Sequence, residues 1–315
     1  MRYIFFLIFI SHLYLNADAH VFVYHKFDDN RSKSTNISIK ELRKQFQYFK
    51  DNGYKVVPIE DIITKLENKE KIPNNWVALT IDDAYKSFYK NGLEVFKEFK
   101  YPFSLYVYVE ATDKRYGDYM TWEQIKEADK YGSIGLHSYS HPYLTKISLE
   151  EVKKDTKKSL DIFTKKMGYK PEIYAYPYGE YNDDVKKVIS SFGFRAILNQ
   201  SIGSVNEKSD LNDIYRIALV GDVNLKTKLK YKTFEVKWIE PKEFPKDGIL
   251  KRVKAKVNPK IKKLKLYITG EGWRDVKVKN GLVDEKLNIY LKKGRTRIVL
   301  GKDIFTISNK IIIKD

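Results

Sequence analysis

Two short segments carry the residue types of a hydrolytic metal centre. Thr80–Tyr85 reads TIDDAY and places adjacent carboxylates, Asp82 and Asp83, directly after the apolar run Trp76–Ile81. His137–Pro142 reads HSYSHP and sets two imidazoles four residues apart, after the short apolar run Ile134–Leu136. Two imidazoles and one carboxylate suit a divalent ion such as zinc and leave positions open for water and substrate. Such an ion lowers the pKa of its water from about 16 to near 7 and polarises a carbonyl under attack. The second carboxylate is then placed to take the water's proton. Strand geometry continued through the pair would turn Asp82 and Asp83 to opposite sides, one toward metal and one toward water. The spacing of the two histidines suits one face of a helical turn. The chain has five histidines; His12 lies in the apolar N-terminal stretch, so two of the other four form this pair.

For the two segments to meet, their strands must share one parallel sheet whose C-terminal ends lie together. From His20 to about Val220 the chain alternates short apolar runs with amphipathic helical stretches. Strands are expected at Val21–Tyr24, Lys55–Val57, Trp76–Ile81, Phe103–Val107, Ile134–Leu136, Ile173–Tyr176, Ala196–Leu198 and Ile214–Leu219. Helices are expected between them, among these Ala84–Phe99 and a long one at Leu149–Met167, opened by Ser148 and closed by Gly168. Seven or eight such units imply an α/β fold with a closed or nearly closed barrel. Beyond residue 225 the helical periodicity ends. Short alternating runs follow, separated by turn signals such as Asn258-Pro259, Gly270-Glu271-Gly272 and Asn280-Gly281. Residues 226–315 are therefore read as a separate, small all-β sandwich-like domain.

The composition fits this division. A 43% hydrophobic share with 14% aromatics supports a packed core across the 315 residues and argues against disorder. The absence of cysteine excludes disulfides, thiolate metal sites and an acylated-cysteine anchor. Met1-Arg2, the apolar Tyr3–Leu15 and Ala17-Asp18-Ala19 together match a secretory signal peptide, cleaved near Ala19, so residues 1–19 are excluded from the fold and the mature protein is expected to be exported, periplasmic or extracellular. The formal charge of +18 is uneven: residues 226–315 hold 26 Lys and Arg against 10 Asp and Glu. That surface favours anionic envelope polymer or a membrane surface as partner, and export makes nucleic acid an unexpected one.

TIDDAY resembles the Thr/Ser-Phe-Asp-Asp motif of polysaccharide deacetylases with a NodB-homology domain, carbohydrate esterase family 4. HSYSH is similar to that family's His-Ser/Thr-x-x-His motif, and YAYPYGEY at Tyr174–Tyr181 resembles its Pro-Tyr-Gly groove motif. The resemblance covers roughly residues 20–220 and implies a distorted (β/α)7 barrel. It implies that Asp82 is the catalytic base, that Asp83, His137 and His141 bind the metal, usually zinc, and that the Tyr178 N–H helps hold the oxyanion. Pro177, Tyr176 and Trp122 would line the sugar groove. Two features depart from the family. Ala175 stands where an arginine usually orients the base, and no histidine follows His141 to supply the usual general acid. The Ala-Tyr-Pro-Tyr-Gly variant and the early Tyr24-His25 look more like the branch acting on exported biofilm poly-N-acetylglucosamine, which makes His25 the expected proton donor. Arg216, in the last barrel strand, is a candidate partner for an active-site carboxylate. The implied activity is metal-dependent removal of N-acetyl groups from an envelope or extracellular polysaccharide. O-acetyl ester hydrolysis and a degenerate glycan-binding barrel are the alternatives.

Overall fold

The computed structural model describes residues 18–314. The expected leader lies almost entirely outside these residues. At its end, Asp18 and Ala19 are already tied into the fold: the Ser204 hydroxyl donates to the Asp18 carboxylate and Ala19 pairs with Val205. No helix among the described residues is long and apolar enough to cross a membrane.

The first module supplies strands β1 (His20–Tyr24), β2 (Lys26–Phe27), β3 (Asn36–Ile37), β4 (Lys55–Val56), β5 (Trp76–Ile81), β6 (Ser104–Val107), β7 (Ser133–Leu136), β8 (Ile173–Ala175), β9 (Ala196–Leu198) and β10 (Ile217–Ala218). All but β2 and β3, which pair with each other, join one parallel sheet in the order β10-β1-β5-β6-β7-β8-β9, with β4 also on β5. The two ends of this sheet approach one another. Leu198 of β9 bridges Ile214, and Arg216 follows two residues later beside β10, so the sheet curls into a nearly closed barrel.

Side-chain alternation sorts the strands into two packed layers. Phe22, Tyr24, Leu79, Ile81, Leu105 and Val107 point outward against Phe46, Phe49 and Phe96 of the surrounding helices. Val21, Ala78, Ala175, Ala196 and Leu198 belong to a second core. Both faces of β5 are buried except at Trp76, which explains why its sequence is a continuous apolar run rather than an alternating one. The long helix forms at Leu149–Met167 with a Ser148–Glu151 capping box and a left-handed Gly168, as expected from its end signals. The expected helix Ala84–Phe99 is interrupted. Asp83 and Ala84 adopt left-handed backbone, and a π-helical turn at Phe88–Gly92 precedes the regular helix Leu93–Phe99. Gly92 lies so close to the Phe27 ring that an added Cβ would sit 2.9 Å from it.

The second module comprises β11 (Lys232–Thr233), β12 (Lys237–Glu240), β13 (Ile249–Lys256), β14 (Lys263–Ile268), β15 (Gly272–Lys279), β16 (Leu282–Tyr290), β17 (Arg295–Gly301) and β18 (Thr306–Ile313). They form an all-β mixed sheet in the order β11-β18-β17-β14-β15-β16-β13-β12. β15 pairs with β14 along most of its length but with β16 only at Val278 and Lys279, so the sheet turns there and encloses Leu250, Leu266, Val283, Ile298 and Leu300. β11 and β12, only three residues apart in the chain, lie at opposite edges of this sheet.

Candidate metal centre and active site

Asp82 and Asp83 follow β5, and His137 follows β7, so all three emerge at the same end of the barrel. His137 is fixed from both sides. Its N–H donates to the Val107 carbonyl, and its Nδ1 is 2.7 Å from the Ala175 carbonyl. That contact makes Nδ1 the protonated nitrogen and leaves Nε2 free to accept a metal. Burial pushes the His137 pKa down to about 4, which keeps the ring neutral at physiological pH.

The two expectations of local geometry are corrected. The histidine pair does not sit on a helical turn: Ser138 and His141 are both left-handed, and the loop is held by the Asp155 carboxylate, which accepts from the Tyr139 and Ser140 N–H groups at 2.8 Å each. Nor do the two carboxylates diverge as on a strand. The left-handed turn at Asp83, with φ of 71°, swings its carboxylate back toward the histidines. Asp83 Oδ1 lies 3.4 Å from His137 Nε2 and 3.2 Å from His141 Nε2, and the two imidazole nitrogens are 3.2 Å apart. Donors around a tetrahedral zinc with bonds of about 2.0–2.1 Å stand roughly 3.3 Å apart. Asp83 Oδ1 is also buried with no hydrogen-bond partner. The donor set therefore fits a divalent ion. Burial raises the Asp83 pKa, but the adjacent imidazoles of His141 and His137 outweigh it and hold the carboxyl below the usual carboxylate range.

Asp82 is fully buried and is gripped by Arg216, whose Nη1 donates to Oδ1 at 2.7 Å and Nη2 to Oδ2 at 2.8 Å. Arg216 is itself fully buried and also donates to Thr80 Oγ1 and the Asn199 carbonyl. It thus makes the kind of carboxylate contact that Ala175 cannot make. Burial raises the Asp82 pKa, and Arg216 and His137 more than offset this, so the carboxyl stays ionised. Two further groups face its Oδ2: His25 Nε2 at 4.0 Å and Gln200 Nε2, which donates at 3.3 Å.

Tyr178 stands on the opposite rim with left-handed backbone (φ 58°), its ring 4.5 Å from that of His141 and stacked on Tyr143 at 4.0 Å. Asp83, Ala84, Ser138, His141 and Tyr178 are all non-glycine residues at positive φ. Such concentration of backbone strain is typical of a functional site.

Three expected groove residues are placed differently. Trp122 is 7% exposed, packs on Phe163 and donates to Asp113, so it belongs to the core. Tyr176 is fully buried against Tyr174 and Tyr181, and Pro177 is buried in a short 3-10 turn. The exposed aromatics near the candidate metal ligands are instead Tyr143 and, in part, Tyr108 and Tyr178. Gln200, Asp155 and Tyr143 carried no motif that would have singled them out.

Residues 69–197 match the family model described as polysaccharide deacetylase. The chain carries a polysaccharide deacetylase domain. Poly-beta-1,6-N-acetyl-D-glucosamine N-deacetylase of Escherichia coli (strain K12) is 24% identical over 248 residues, which cover 64% of this chain and 37% of that protein. This chain therefore spans well under half the length of that relative. The protein of the same name from Staphylococcus aureus (strain MSSA476) is 24% identical over 214 residues, covering 64% of this chain and 73% of its own. The deacetylase barrel also superposes on the Streptococcus pyogenes deacetylase PplD, solved in complex with acetate, with a TM-score of 0.62, 22% identity and coverage of 67% of this chain and 96% of that one. That likeness shows the fold of the deacetylase domain.

Proposed function

We propose that this protein is an exported, metal-dependent N-deacetylase of a polysaccharide built from N-acetylglucosamine. The observation that carries the reading is the juxtaposition of the Asp83–His137–His141 donor set with an ionised, arginine-held Asp82, whose Oδ2 is 3.9 Å from His137 Nε2. The names of the two curated relatives support the substrate class. The apolar Tyr3–Leu15 and the Ala17-Asp18-Ala19 pattern support export.

Asp83, His137 and His141 would hold the ion, most simply zinc, which when bound supplies a Lewis acid and a water acidic enough to react at neutral pH. Asp82 takes the proton released as the water oxygen bonds to the acetyl carbon. Arg216 fixes the direction of that carboxylate and keeps it ionised between turnovers. The Tyr178 N–H donates to the carbonyl oxygen as it gains charge. His25 gives a proton to the amide nitrogen as the C–N bond breaks, so the products are acetate and a free amine on the sugar. The buried, partnerless Nδ1 of His25 and the 4.0 Å approach of its Nε2 to Asp82 support that role. The test is acetate release from β-1,6-linked N-acetylglucosamine oligomers, with and without chelator, beside O-acetylated oligosaccharides. Chelator-sensitive release from the N-acetylated set alone is expected. Release from O-acetyl esters alone would make the protein an esterase.

A further inference from the structure

The outer face of the second module is a candidate ligand site. In β17 the alternation that sends Ile298 and Leu300 into the core turns Arg295, Arg297 and Val299 outward. Register places Val299 opposite Tyr267 of β14, and Tyr267 opposite Trp273 of β15, so a band of side chains crosses three strands. These residues line a groove of about 460 Å³, within the ordinary range of ligand pockets. Trp273 is 40% exposed, with its ring 5.3 Å from that of Tyr267 and tilted by 47°. The two rings make an aromatic floor of the kind that packs against the apolar face of a sugar ring. Arg295 and Arg297 are the charged residues of the lining, and no carboxylate joins them among the described residues.

The groove is joined to the active site. Arg295 Nη2 donates to the Tyr178 carbonyl at 2.7 Å, and Arg297 Nη2 to the Gln200 carbonyl at 3.3 Å. Tyr178 carries the proposed oxyanion donor and rests against His141, while Gln200 reaches Asp82. The two arginines thus form both a wall of the groove and a support of the catalytic rim.

We infer that this groove is a second glycan-binding site, which holds a still-acetylated stretch of the polymer while another sugar of the same chain is hydrolysed. The inference rests on the deacetylase reading for its choice of ligand. Charge selects the acetylated form. An N-acetylated sugar is neutral, whereas each hydrolysed sugar carries an amine that is cationic when protonated. Two guanidinium groups in a module with 26 basic and 10 acidic residues repel that product.

The experiment is calorimetric titration of the full chain carrying Asp82→Asn, so that bound glycan is not consumed; metal-stripped wild-type protein serves if that variant fails to fold. β-1,6-Linked N-acetylglucosamine dimer and hexamer, and the fully deacetylated hexamer, are the probes. The acetylated hexamer should bind roughly tenfold tighter than the dimer, a gain that a single aromatic anchor supplies. Trp273→Ala should remove that gain, and Trp273→Phe should keep most of it. The deacetylated hexamer should bind more weakly than the acetylated one. Equal affinities for acetylated dimer and hexamer, no effect of Trp273→Ala, or equal affinity for the deacetylated hexamer would each overturn the proposal. Acetate release by metal-loaded wild-type protein is measured in parallel. Binding that depends on Trp273 without acetate release removes the catalytic reading and leaves the groove. Release with no advantage for the hexamer does the reverse.

Discussion

Arg216 and Asp82 form a buried, two-pronged ion pair at the seam where the barrel nearly closes, with contacts of 2.7 and 2.8 Å. Each charge is fully withdrawn from water. Removing one partner strands the other, which typically costs 3–5 kcal/mol. Arg216→Ala is therefore expected to lower the unfolding free energy by about that amount and to reduce kcat by roughly 100-fold or more. Denaturant unfolding and acetate release check the two halves. Arg216→Lys cannot reproduce the fork and should recover only part of the rate.

The metal and base roles separate by substitution. Asp83→Ala should lose bound metal and activity together, because it removes one of three ligands. Asp82→Asn should bind the metal and lose turnover. Metal content by mass spectrometry, read beside acetate release, distinguishes them. An Asp82→Asn variant with undiminished activity would remove the assigned base.

His25→Gln should reduce kcat by about 100-fold or more while leaving metal content unchanged, as expected for loss of a general acid. The reduction should be smaller for an activated N-acyl substrate whose leaving group needs no proton. Equal losses on both substrates would point to a positioning role for His25.

The positions of these residues show what was legible in the chain. TIDDAY and HSYSHP were readable because local apolar runs mark the strands, and strand ends in a parallel sheet converge. The convergence itself was not readable in detail. Left-handed backbone at Asp83, Ser138 and His141 is imposed by the surrounding fold, and no glycine announces it. The burial of Trp122 and Tyr176 was hidden because an aromatic residue of a sugar groove and one of a core look alike in sequence. Arg216 could be suspected from its place at the last barrel strand. Gln200, Arg295 and Arg297 reach the site through contacts about 100 residues apart in the chain, beyond any local pattern.

Asp213 gives a pH signature independent of the metal site. Its carboxylate, in the loop after β9, accepts from Asn199 of the same loop and from Tyr181, and burial pushes its pKa up to about 6. The folded state then holds this proton more tightly than the unfolded chain does. Stability from this group is full below about pH 4 and is lost as the pH rises through 6, a change on the order of 2–3 kcal/mol. Asp213→Asn should flatten that decline, so its stability relative to the wild type should rise between pH 4 and 7. Urea unfolding across this range is the check, and a pH-independent difference would argue against it.

Arg295→Ala should slow acetate release severalfold without changing metal content, since the Tyr178 loop loses a hydrogen bond but no metal ligand is touched. Parallel measurement of kcat and metal occupancy separates this from general destabilisation. Removing residues 226–315 should lower the melting temperature as well, because Asn309 hydrogen-bonds with Ile202 and Thr233 with Ser204 across the two modules.

The reach of Arg295 and Arg297 into the rim also orders the protein's biogenesis. The candidate metal ligands lie within residues 83–141 and Arg216 follows them, yet two braces of the rim come from β17. A polypeptide that ends before β17 keeps those side chains but lacks both braces. During synthesis the rim therefore gains these two contacts only after residue 297 has been made, and contacts so far apart in the sequence are slow to form.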